Sequence, residues 1–286
     1  MVSPTRDMEG KSCVVTGATD GIGLATAKGL ALRGAQVLAV GRNAAKGGGV
    51  VARLQQETGN PAIQFLQADL SSQSQVRSLA GDLARGFPRL TVLVNNVGGF
   101  FLGRSLSQDG IEATFALNHL NVFLLTCLLL DKLKASAPAR IVNVASETHR
   151  NASIDMDQVV ARRWTSGMKA YGQSKLAMIQ FTYELARKLQ GSGVTVNAVH
   201  PGFVASNMYR SSGGLVRLAG PIVKLMGKTP EEGADTVIYL AASAEMEGVT
   251  GKYFVNRHPY PSSPASYDET AGRRLWEISA QMVGLA

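Results

Sequence analysis

The sequence predicts an α/β fold, with one doubly wound parallel sheet of about seven strands and helices on both faces. Apolar runs rich in β-branched residues alternate with amphipathic helical segments along the whole chain, which is typical of parallel strands joined by crossover helices. The runs are almost continuously apolar, as strands covered on both faces are. Because no internal repeat or low-complexity linker interrupts the pattern, we expect a single domain over residues 1–286, with its core at about 8–256.

Seven segments carry the strand pattern, and the first connection between them has helical periodicity. In chain order the segments are SCVVT (12–16), AQVLAVG (35–41), AIQFLQA (62–68), LTVLVNN (90–96), ARIVNVAS (139–146), VTVNAVH (194–200) and GKYFVN (251–256). The connection GIGLATAKGLALRG (21–34) ends at Gly34, a residue type that commonly follows the last turn of a helix. The remaining chain, 257–286, is a C-terminal extension that either covers a pocket or contacts a partner.

Two connections, 147–168 and 203–229, are much longer than the others and follow predicted strands. Long connections in a compact domain are usually functional, and open α/β sheets bind ligands at the carboxyl ends of their strands. We therefore expect 203–229 to form a substrate lid. Six of its apolar residues have three alternative roles, which are to line an apolar pocket, to pack in the core or to contact a membrane surface. They are Leu215, Val216, Leu218, Ile222, Val223 and Leu225.

The composition is that of an ordinary globular protein. Of 286 residues, 45% are apolar and 17% charged, and the formal net charge is +8. The basic residues are scattered and no aromatic residues interleave with a basic run, so we expect no nucleic-acid partner. A basic surface also suits an anionic cofactor.

The two cysteines and the apolar stretches bear on compartment and membrane contact. Cys13 and Cys127 lie in apolar runs with no Cys/His ligand spacing, so we expect neither a metal site nor a disulfide, and a cytoplasmic location. The N-terminus is short and polar, unlike a signal peptide. The apolar stretches fall short of the roughly 20 residues that cross a bilayer, so we expect no membrane span.

A glycine-rich turn joins the first predicted strand to the first helix. Its residues are Thr16-Gly17-Ala18-Thr19-Asp20-Gly21-Ile22-Gly23. The glycines permit a tight turn and a close approach to a pyrophosphate, which the free N–H groups and dipole of the helix N-terminus attract. A plain strand–helix turn would share part of this pattern, but its place in an alternating α/β sequence favours dinucleotide binding.

The ends of the next three strands carry further candidate cofactor contacts. A carboxylate after the second strand would bond the ribose hydroxyls of NAD, whereas Arg42 can pair with a 2′-phosphate, so we expect NADP(H). An ordinary surface arginine is the alternative, and Lys46 adds charge nearby. Asp69 and Leu70 follow the third strand, where an acid can accept from the adenine amino group. Asn95-Asn96-Val97-Gly98 closes the fourth strand beside the expected crevice.

Acid–base chemistry is indicated by Tyr171 and Lys175, which share one face of a predicted helix because they are four residues apart. A phenol with an ordinary pKa of about 10 is a poor base, and a neighbouring ammonium lowers that pKa. The pair can therefore protonate a carbonyl or deprotonate an alcohol. Ser146 ends the fifth strand and can hydrogen-bond the substrate oxygen. Asn118 can anchor a water that relays protons to Lys175.

In their number and order these motifs resemble the short-chain dehydrogenase/reductase family. The shared residues are Thr16-Gly-x-x-x-Gly-x-Gly23, Asn95-Asn-x-Gly98, Asn118, Ser146, Tyr171-x-x-x-Lys175 and Pro201-Gly202. The resemblance implies a Rossmann-type fold, with Asn118, Ser146, Tyr171 and Lys175 as catalytic tetrad. It also implies that Tyr171, Lys175, Pro201 and Val204 contact the cofactor, Lys175 at the nicotinamide ribose. It further implies a homodimer or homotetramer joined through the helices that contain Asn118 and Tyr171.

Further stretches are similar to the retinol-dehydrogenase-like and protochlorophyllide-reductase-like branch of that family. These are FALNHL, ARIVNVAS with the following His149, AYGQSKLA, VHPGFVASN and the long insertion before Tyr171. The branch implies NADP(H) and a bulky lipophilic substrate. The chain departs from it at Asn121-Val122, where Gly-His is usual, and at Val97, where Ala is usual. For His149, packing of the loop or lining of the substrate site is favoured over catalysis.

The resulting hypothesis is hydride transfer from C4 of NADPH to the carbonyl of a small-molecule substrate, or the reverse reaction on its alcohol. Tyr171 donates the proton, Ser146 orients the carbonyl, and Lys175 tunes Tyr171. Two alternatives use the same scaffold, since fold does not determine function. One is a cyclase or isomerase of a biosynthetic intermediate, and the other is a non-catalytic partner protein that binds NADPH.

Overall fold

The structure is a computed structural model that describes residues 6–103, 105–162, 164–204 and 227–286. Its centre is an eight-stranded sheet in the order β3-β2-β1-β4-β5-β6-β7-β8. The strands are β1 (Ser12–Thr16), β2 (Gln36–Gly41), β3 (Ile63–Gln67), β4 (Val92–Asn95), β5 (Ala139–Val144), β6 (Val194–His200), β7 (Tyr253–Val255) and β8 (His258–Pro259).

The seven predicted strands are confirmed, and all of them pair in parallel. The eighth, β8, was not predicted; it pairs antiparallel with β7, with Phe254 opposite Pro259. The strand order reverses its direction between β1 and β4. In doubly wound sheets such a reversal opens a crevice at the carboxyl ends of the strands, where ligands bind.

Helices cover both faces of the sheet. They are α1 (Gly21–Leu32), α2 (Ala44–Thr58), α3 (Gln73–Gly86), α4 (Asn121–Ala135), α5 (Met156–Val160), α6 (Gly167–Lys188), α7 (Pro230–Ala242) and α8 (Glu269–Met282). Helices α1, α2 and α7 pack on one face and α3, α4 and α6 on the other, where α8 packs on α6. Helix α7 begins with a capping box between Thr229 and Glu232, which satisfies two of its free N–H groups.

Each face of the sheet has its own hydrophobic core. Successive strand residues point to opposite faces: Val14 of β1 belongs to the core under α3, α4 and α6, and Val15 belongs to the core under α1, α2 and α7. Both side chains are fully buried. This two-sided burial explains why the predicted strands are continuously apolar.

The longest apolar helical segment, Ala113–Ala135, joins a short turn, a π-helical stretch at Ala116–Leu120 and α4. With 23 residues and a mean hydropathy of 1.7, it is long and apolar enough to cross a membrane by length and composition alone. This run is longer than the apolar stretches that we expected from the sequence. However, 72% of its most apolar part is buried inside the protein, and core helices share this composition.

The predicted lid, 203–229, is described only at 203–204 and 227–229. The six apolar residues at positions 215–225 that we considered for a pocket lie outside the described residues. At the base of the segment, Val204 pairs with Lys228 in an isolated parallel bridge.

Candidate active site

The glycine-rich turn after β1 has the tight geometry that its sequence predicts. Gly17 has a φ of 67°, which side-chain-bearing residues rarely adopt. A Cβ atom on Gly23 would lie 2.3 Å from the Gly17 carbonyl oxygen, so only glycine lets α1 begin this close to the turn. Asp20 caps α1, and its carboxylate accepts a hydrogen bond of 2.8 Å from the Gly21 N–H. The turn thus leaves an open backbone surface at a helix N-terminus.

Asn96, at the end of β4, braces this turn. Its side-chain Nδ2 donates to the Thr16 carbonyl at 2.8 Å, and its main-chain N–H donates to the Thr16 hydroxyl at 2.9 Å. The same hydroxyl accepts from the Val97 N–H at 3.0 Å. The structure therefore shows Asn96 joining the ends of β1 and β4, and its contact with a cofactor stays a prediction.

Three basic side chains follow the end of β2, namely Arg42, Lys46 and Arg53. Arg42 is exposed, and its guanidinium has neither an ion pair nor a hydrogen bond with any residue that the structure describes. Lys46 pairs with Asp20 at 2.8 Å. Lys46 and Arg53 line an open cavity of about 310 Å³, together with Thr19 and Asp20 of the glycine-rich turn. An anion next to the turn would meet cations here.

The remaining predicted cofactor residues lie at neighbouring strand ends. One oxygen of Asp69, Oδ1, accepts from the N–H and the hydroxyl of Ser71 at 3.0 and 2.8 Å. Leu70 is buried, and its carbonyl accepts from Asn121 at 2.7 Å, so the side chain that departs from the family pattern holds this turn. Beyond β6, Pro201 is buried. Val204 and Ile22 of the glycine-rich turn both pack against α7, at Gly233.

Lys175 lies deep in the structure, at the carboxyl end of β5. Only 3% of it is exposed, and its ammonium donates to the Val144 carbonyl at 2.9 Å. The nitrogen is 5.6 Å from the centre of the Tyr171 ring. Burial disfavours the charged form and lowers the pKa of Lys175 to about 8. The predicted pair of cation and phenol is therefore assembled.

Tyr171 and Ser146 belong to elements in direct contact. Ser146 begins a 3₁₀ turn at Glu147–Asn151, and its hydroxyl accepts from the Thr148 N–H at 3.4 Å. A Cβ atom on Gly172, the residue after Tyr171, would lie 3.1 Å from the Thr148 carbonyl oxygen. Glycine therefore allows α6 to approach the turn closely. The Tyr171 ring is 8% exposed and meets Phe100 edge-on, with 5.8 Å between the ring centres.

Asn118 is fully buried in the π-helical stretch, a kind of irregularity that is frequent at functional sites. Its Nδ2 donates to the Gly99 carbonyl and the Ser174 hydroxyl, each at 3.0 Å, and its Oδ1 accepts from the Gly99 N–H at 2.8 Å. Both donors are used, so only the second lone pair of Oδ1 or the main chain could hold a relay water. The buried Ser174, which couples Asn118 to α6, was not identified from the sequence, although it lies between Tyr171 and Lys175 in AYGQSKLA.

His149 has both ring nitrogens bonded to main chain. Nδ1 donates to the Ser146 carbonyl at 2.7 Å, and Nε2 accepts from the Ser263 N–H at 3.0 Å. The ring is fully buried, and burial lowers its pKa. A histidine held in this way has no free nitrogen for a substrate, so the structure supports loop packing over catalysis.

The comparisons with known proteins agree on a family. A family model described as short chain dehydrogenase matches residues 11–213. Human retinol dehydrogenase 13 is 42% identical to this chain over 283 residues, covering 96% of this chain and 85% of the relative. Human polyprenol dehydrogenase is 41% identical over 279 residues, covering 95% and 84%.

Solved structures are similar over nearly the whole chain. A Mycobacterium paratuberculosis protein of uncharacterised function has a TM-score of 0.78 at 29% identity, covering 99% of this chain and 96% of its own. The NADP complex of Pseudomonas aeruginosa RhlG has a TM-score of 0.71 at 30% identity, covering 92% and 99%. A Burkholderia cenocepacia short chain dehydrogenase in complex with NADP has a TM-score of 0.68 at 30% identity, covering 87% and 96%.

Proposed function

The chain belongs to the short-chain dehydrogenase family of oxidoreductases, and we propose that it moves a hydride between NADP(H) and the carbonyl or alcohol carbon of a bulky lipophilic substrate. The observation that carries this proposal is the buried Lys175 ammonium, 5.6 Å from the Tyr171 ring centre. Burying a lysine ammonium costs solvation free energy. A buried lysine next to a phenol therefore indicates that its charge has a function there. At this position the charge favours the phenolate and so prepares Tyr171 for proton transfer.

The described residues fit a dinucleotide. The turn after β1 presents backbone at the N-terminus of α1 with no side chain at Gly17, Gly21 or Gly23, as a pyrophosphate requires. The cofactor would be held by Gly17, Thr19, Asp20, Gly21, Ile22, Gly23, Arg42, Asp69, Leu70, Asn96, Gly98, Tyr171, Lys175, Pro201 and Val204. When bound, its reduced nicotinamide supplies the hydride.

In this mechanism each member of the tetrad has one task. The Tyr171 hydroxyl gives its proton to the substrate oxygen during reduction and takes it back during oxidation. Ser146 donates a hydrogen bond to the same oxygen as negative charge develops there. Lys175 stabilises the phenolate that Tyr171 becomes. Asn118 holds the Gly99 loop against α6 and so keeps Lys175 and Tyr171 facing the cofactor crevice.

Preference for the phosphorylated cofactor is supported by the charge at the end of β2. Arg42 is exposed and has no partner among the described side chains, and Lys46 and Arg53 line the cavity beside the glycine-rich turn. A guanidinium binds phosphate oxygens with paired hydrogen bonds. Two similar solved structures contain NADP.

A lipophilic substrate is supported by exposed apolar side chains near the carboxyl ends of the strands. Leu102 follows β4, Phe203 follows β6 and Met168 lies one turn before Tyr171; they are 51%, 53% and 57% exposed. Contiguous apolar surface commonly marks a binding site, and Leu102 lies beside the start of α6, since a Cβ atom on Gly167 would be 3.3 Å from the Leu102 carbonyl oxygen. The similar proteins named for retinol and polyprenol agree with such a substrate.

The test is NADPH and NADH oxidation, followed by nicotinamide absorbance, with a panel of bulky ketones and aldehydes. We expect turnover with NADPH that Tyr171→Phe lowers by roughly 100-fold or more, because the proton donor is lost. Tyr239→Phe, at a partly buried tyrosine of α7 whose hydroxyl donates to Glu245, is the matched control and should keep full activity.

Other outcomes would contradict the proposal. Tight NADPH binding with a product of unchanged oxidation state would indicate a cyclase or isomerase. Tight binding with neither oxidation nor product on any substrate would indicate a non-catalytic NADPH-binding protein.

A further inference from the structure

The C-terminal extension, residues 257–286, makes buried hydrogen bonds to each of the three elements that carry the proposed tetrad. These elements are the turn after β5 with Ser146, the π-helical stretch with Asn118, and helix α6 with Tyr171 and Lys175. The contacts are separated by 79 to 160 residues along the chain.

The contact with the Ser146 turn passes through His149. Because a carbonyl can only accept and an N–H can only donate, the two bonds of His149 require a proton on Nδ1 and a free Nε2. The neutral imidazole therefore links the main chain of Ser146 directly to the main chain of Ser263. Both His149 and Ser263 are buried, at 0% and 3% exposure.

A second bond from the same turn reaches the extension. Arg150 donates to the Pro261 carbonyl at 2.5 Å and lies over the Tyr260 ring, 5.3 Å from its centre. Glu147 pairs with Arg150 and accepts from the Tyr253 hydroxyl of β7 at 2.7 Å. Three residues of the turn after Ser146 are thus held by β7 and the extension.

The contacts with α6 lie about one and a half to two helical turns beyond Lys175. Tyr183 shares a hydrogen bond of 2.7 Å with Ser262, and Gln180 donates to the Ala265 carbonyl at 2.9 Å. The Trp276 ring stacks on Phe181, with 5.8 Å between centres. The extension therefore fixes both the position and the rotation of α6.

The contact with the Asn118 stretch passes through His119, the next residue. Its Nε2 shares a hydrogen bond of 2.9 Å with the Ser279 hydroxyl of α8, and both residues are buried. The rings of Phe115, Phe123 and Phe181 lie around it, 5.1 to 6.3 Å away. The other ring nitrogen, Nδ1, is buried and has no hydrogen-bond partner among the described residues. The bond to Ser279 therefore offsets part of the cost of burying the imidazole and favours one position of α8 over others.

We propose that the C-terminal extension is a clamp that aligns the tetrad, with His149 and His119 as its positioning residues. This inference rests on the proposed function, since it assigns the extension a part in that chemistry. Catalytic groups must be held within a fraction of an ångström, and a displacement of about 1 Å can cost roughly 100-fold in rate. The extension bonds the side chain of His149, which in turn bonds the Ser146 carbonyl, and the side chain of His119, which follows Asn118. It bonds α6 directly.

Variants of the two histidine contacts test the clamp. His149→Phe keeps the ring shape but removes both hydrogen bonds, and Ser279→Ala removes the partner of His119. We expect each to lower kcat roughly tenfold and leave the KM for NADPH unchanged. His149→Gln, whose amide offers one donor and one acceptor, should recover part of the loss. Gln281→Ala, at an exposed position of α8, is the control.

Hydrogen exchange of the full chain gives a second readout that needs no turnover. In His149→Phe the amides of the Glu147–Asn151 turn should exchange faster, whereas Gln281→Ala should leave them unchanged. If the wild type turns over NADPH and both His149→Phe and Ser279→Ala keep its kcat, the clamp is overturned and the proposed function stands. If the wild type turns over no substrate, the proposed function fails. In that case unaltered hydrogen exchange of the Glu147–Asn151 turn in His149→Phe would overturn the clamp independently.

Discussion

The proposed preference for NADP(H) can be tested at one side chain, Arg42, which follows β2. Replacing it by alanine removes a charged hydrogen bond worth about 1.5–3 kcal/mol, so we expect the KM for NADPH to rise roughly 10- to 100-fold while that for NADH changes little. The measurement is steady-state kinetics with both cofactors. Arg274→Ala, at an exposed arginine of α8 paired with Glu277, is the control. An equal rise for both cofactors would contradict the role of Arg42.

The buried His119 is expected to make the stability of the fold depend on pH. Burial among aromatic rings lowers the pKa of His119 to about 3, whereas an unfolded histidine titrates at about 6.5. The unfolded chain therefore binds more protons, and stability is kept above about pH 6.5 and lost as the pH falls toward 3. At pH 5 the loss from this residue is about 2 kcal/mol.

Urea unfolding of wild type and His119→Phe at pH 7 and pH 5 measures this loss. Each protein is compared with itself, so any change in baseline stability cancels. We expect the wild type to lose about 2 kcal/mol more than the variant between the two pH values. Gln281→Ala, at an exposed residue of α8 that carries no titratable group, should lose as much as the wild type. An equal loss in wild type and His119→Phe would rule out His119 as the source.

Residue types and spacing identified Tyr171 and Lys175, because a phenol four residues before a lysine has a direct chemical meaning. Asn118 was predicted to anchor a relay water and, from the resemblance, to belong to the tetrad, but its actual partners could not be foreseen. Its bonds to Gly99 and Ser174 span 19 and 56 residues and depend on a π-helical stretch. No local pattern encodes such contacts.

Among the elements of the fold, the glycine-rich turn leaves little room for side chains. In Gly23→Ala the new Cβ would meet the backbone oxygen of Gly17 at 2.3 Å, so the turn must shift. We expect a loss of about 1–3 kcal/mol in stability and a rise of at least roughly tenfold in the Kd of NADPH, because the pyrophosphate surface is displaced.

Thermal unfolding and calorimetric titration with NADPH check this expectation. Gly48→Ala is the matched control, because a Cβ there meets nothing within 4 Å. It should gain about 0.5–1 kcal/mol, since alanine favours a helix over glycine. Unchanged NADPH binding in Gly23→Ala would show that the turn does not form the cofactor site.

Strands β1, β2, β4, β5 and β6 were predictable because they are buried on both faces and so carry almost uninterrupted apolar runs. Strand β3 lies at the edge of the sheet and alternates in part, with Gln64 and Gln67 exposed. Strand β8 was missed for two reasons. It contains only His258 and Pro259, which have no strand pattern. The reversal before it uses positive φ values at Asn256 and Arg257, 49° and 65°, and Asn-Gly is the usual signal for such a turn.

At the scale of the molecule, the C-terminal extension was the least predictable part. Its sequence shows a helical pattern with Trp276, but the face on which it packs is composed of residues 79 to more than 200 positions earlier. Ring contacts join Trp276 to Phe123 of α4 and Phe181 of α6. The resemblance implies association of copies through these helices, and any such interface would have to include α8.

The central claim is that this chain moves a hydride, and deuterium transfer tests it most directly. NADPH deuterated at C4, in each of its two stereochemical forms, would be incubated with wild type and the carbonyl substrate with the highest turnover. We predict that one form delivers its deuterium to the carbinol carbon, detected by mass spectrometry of the alcohol product. Product without deuterium from either form, or product with no NADPH consumed, would contradict the account.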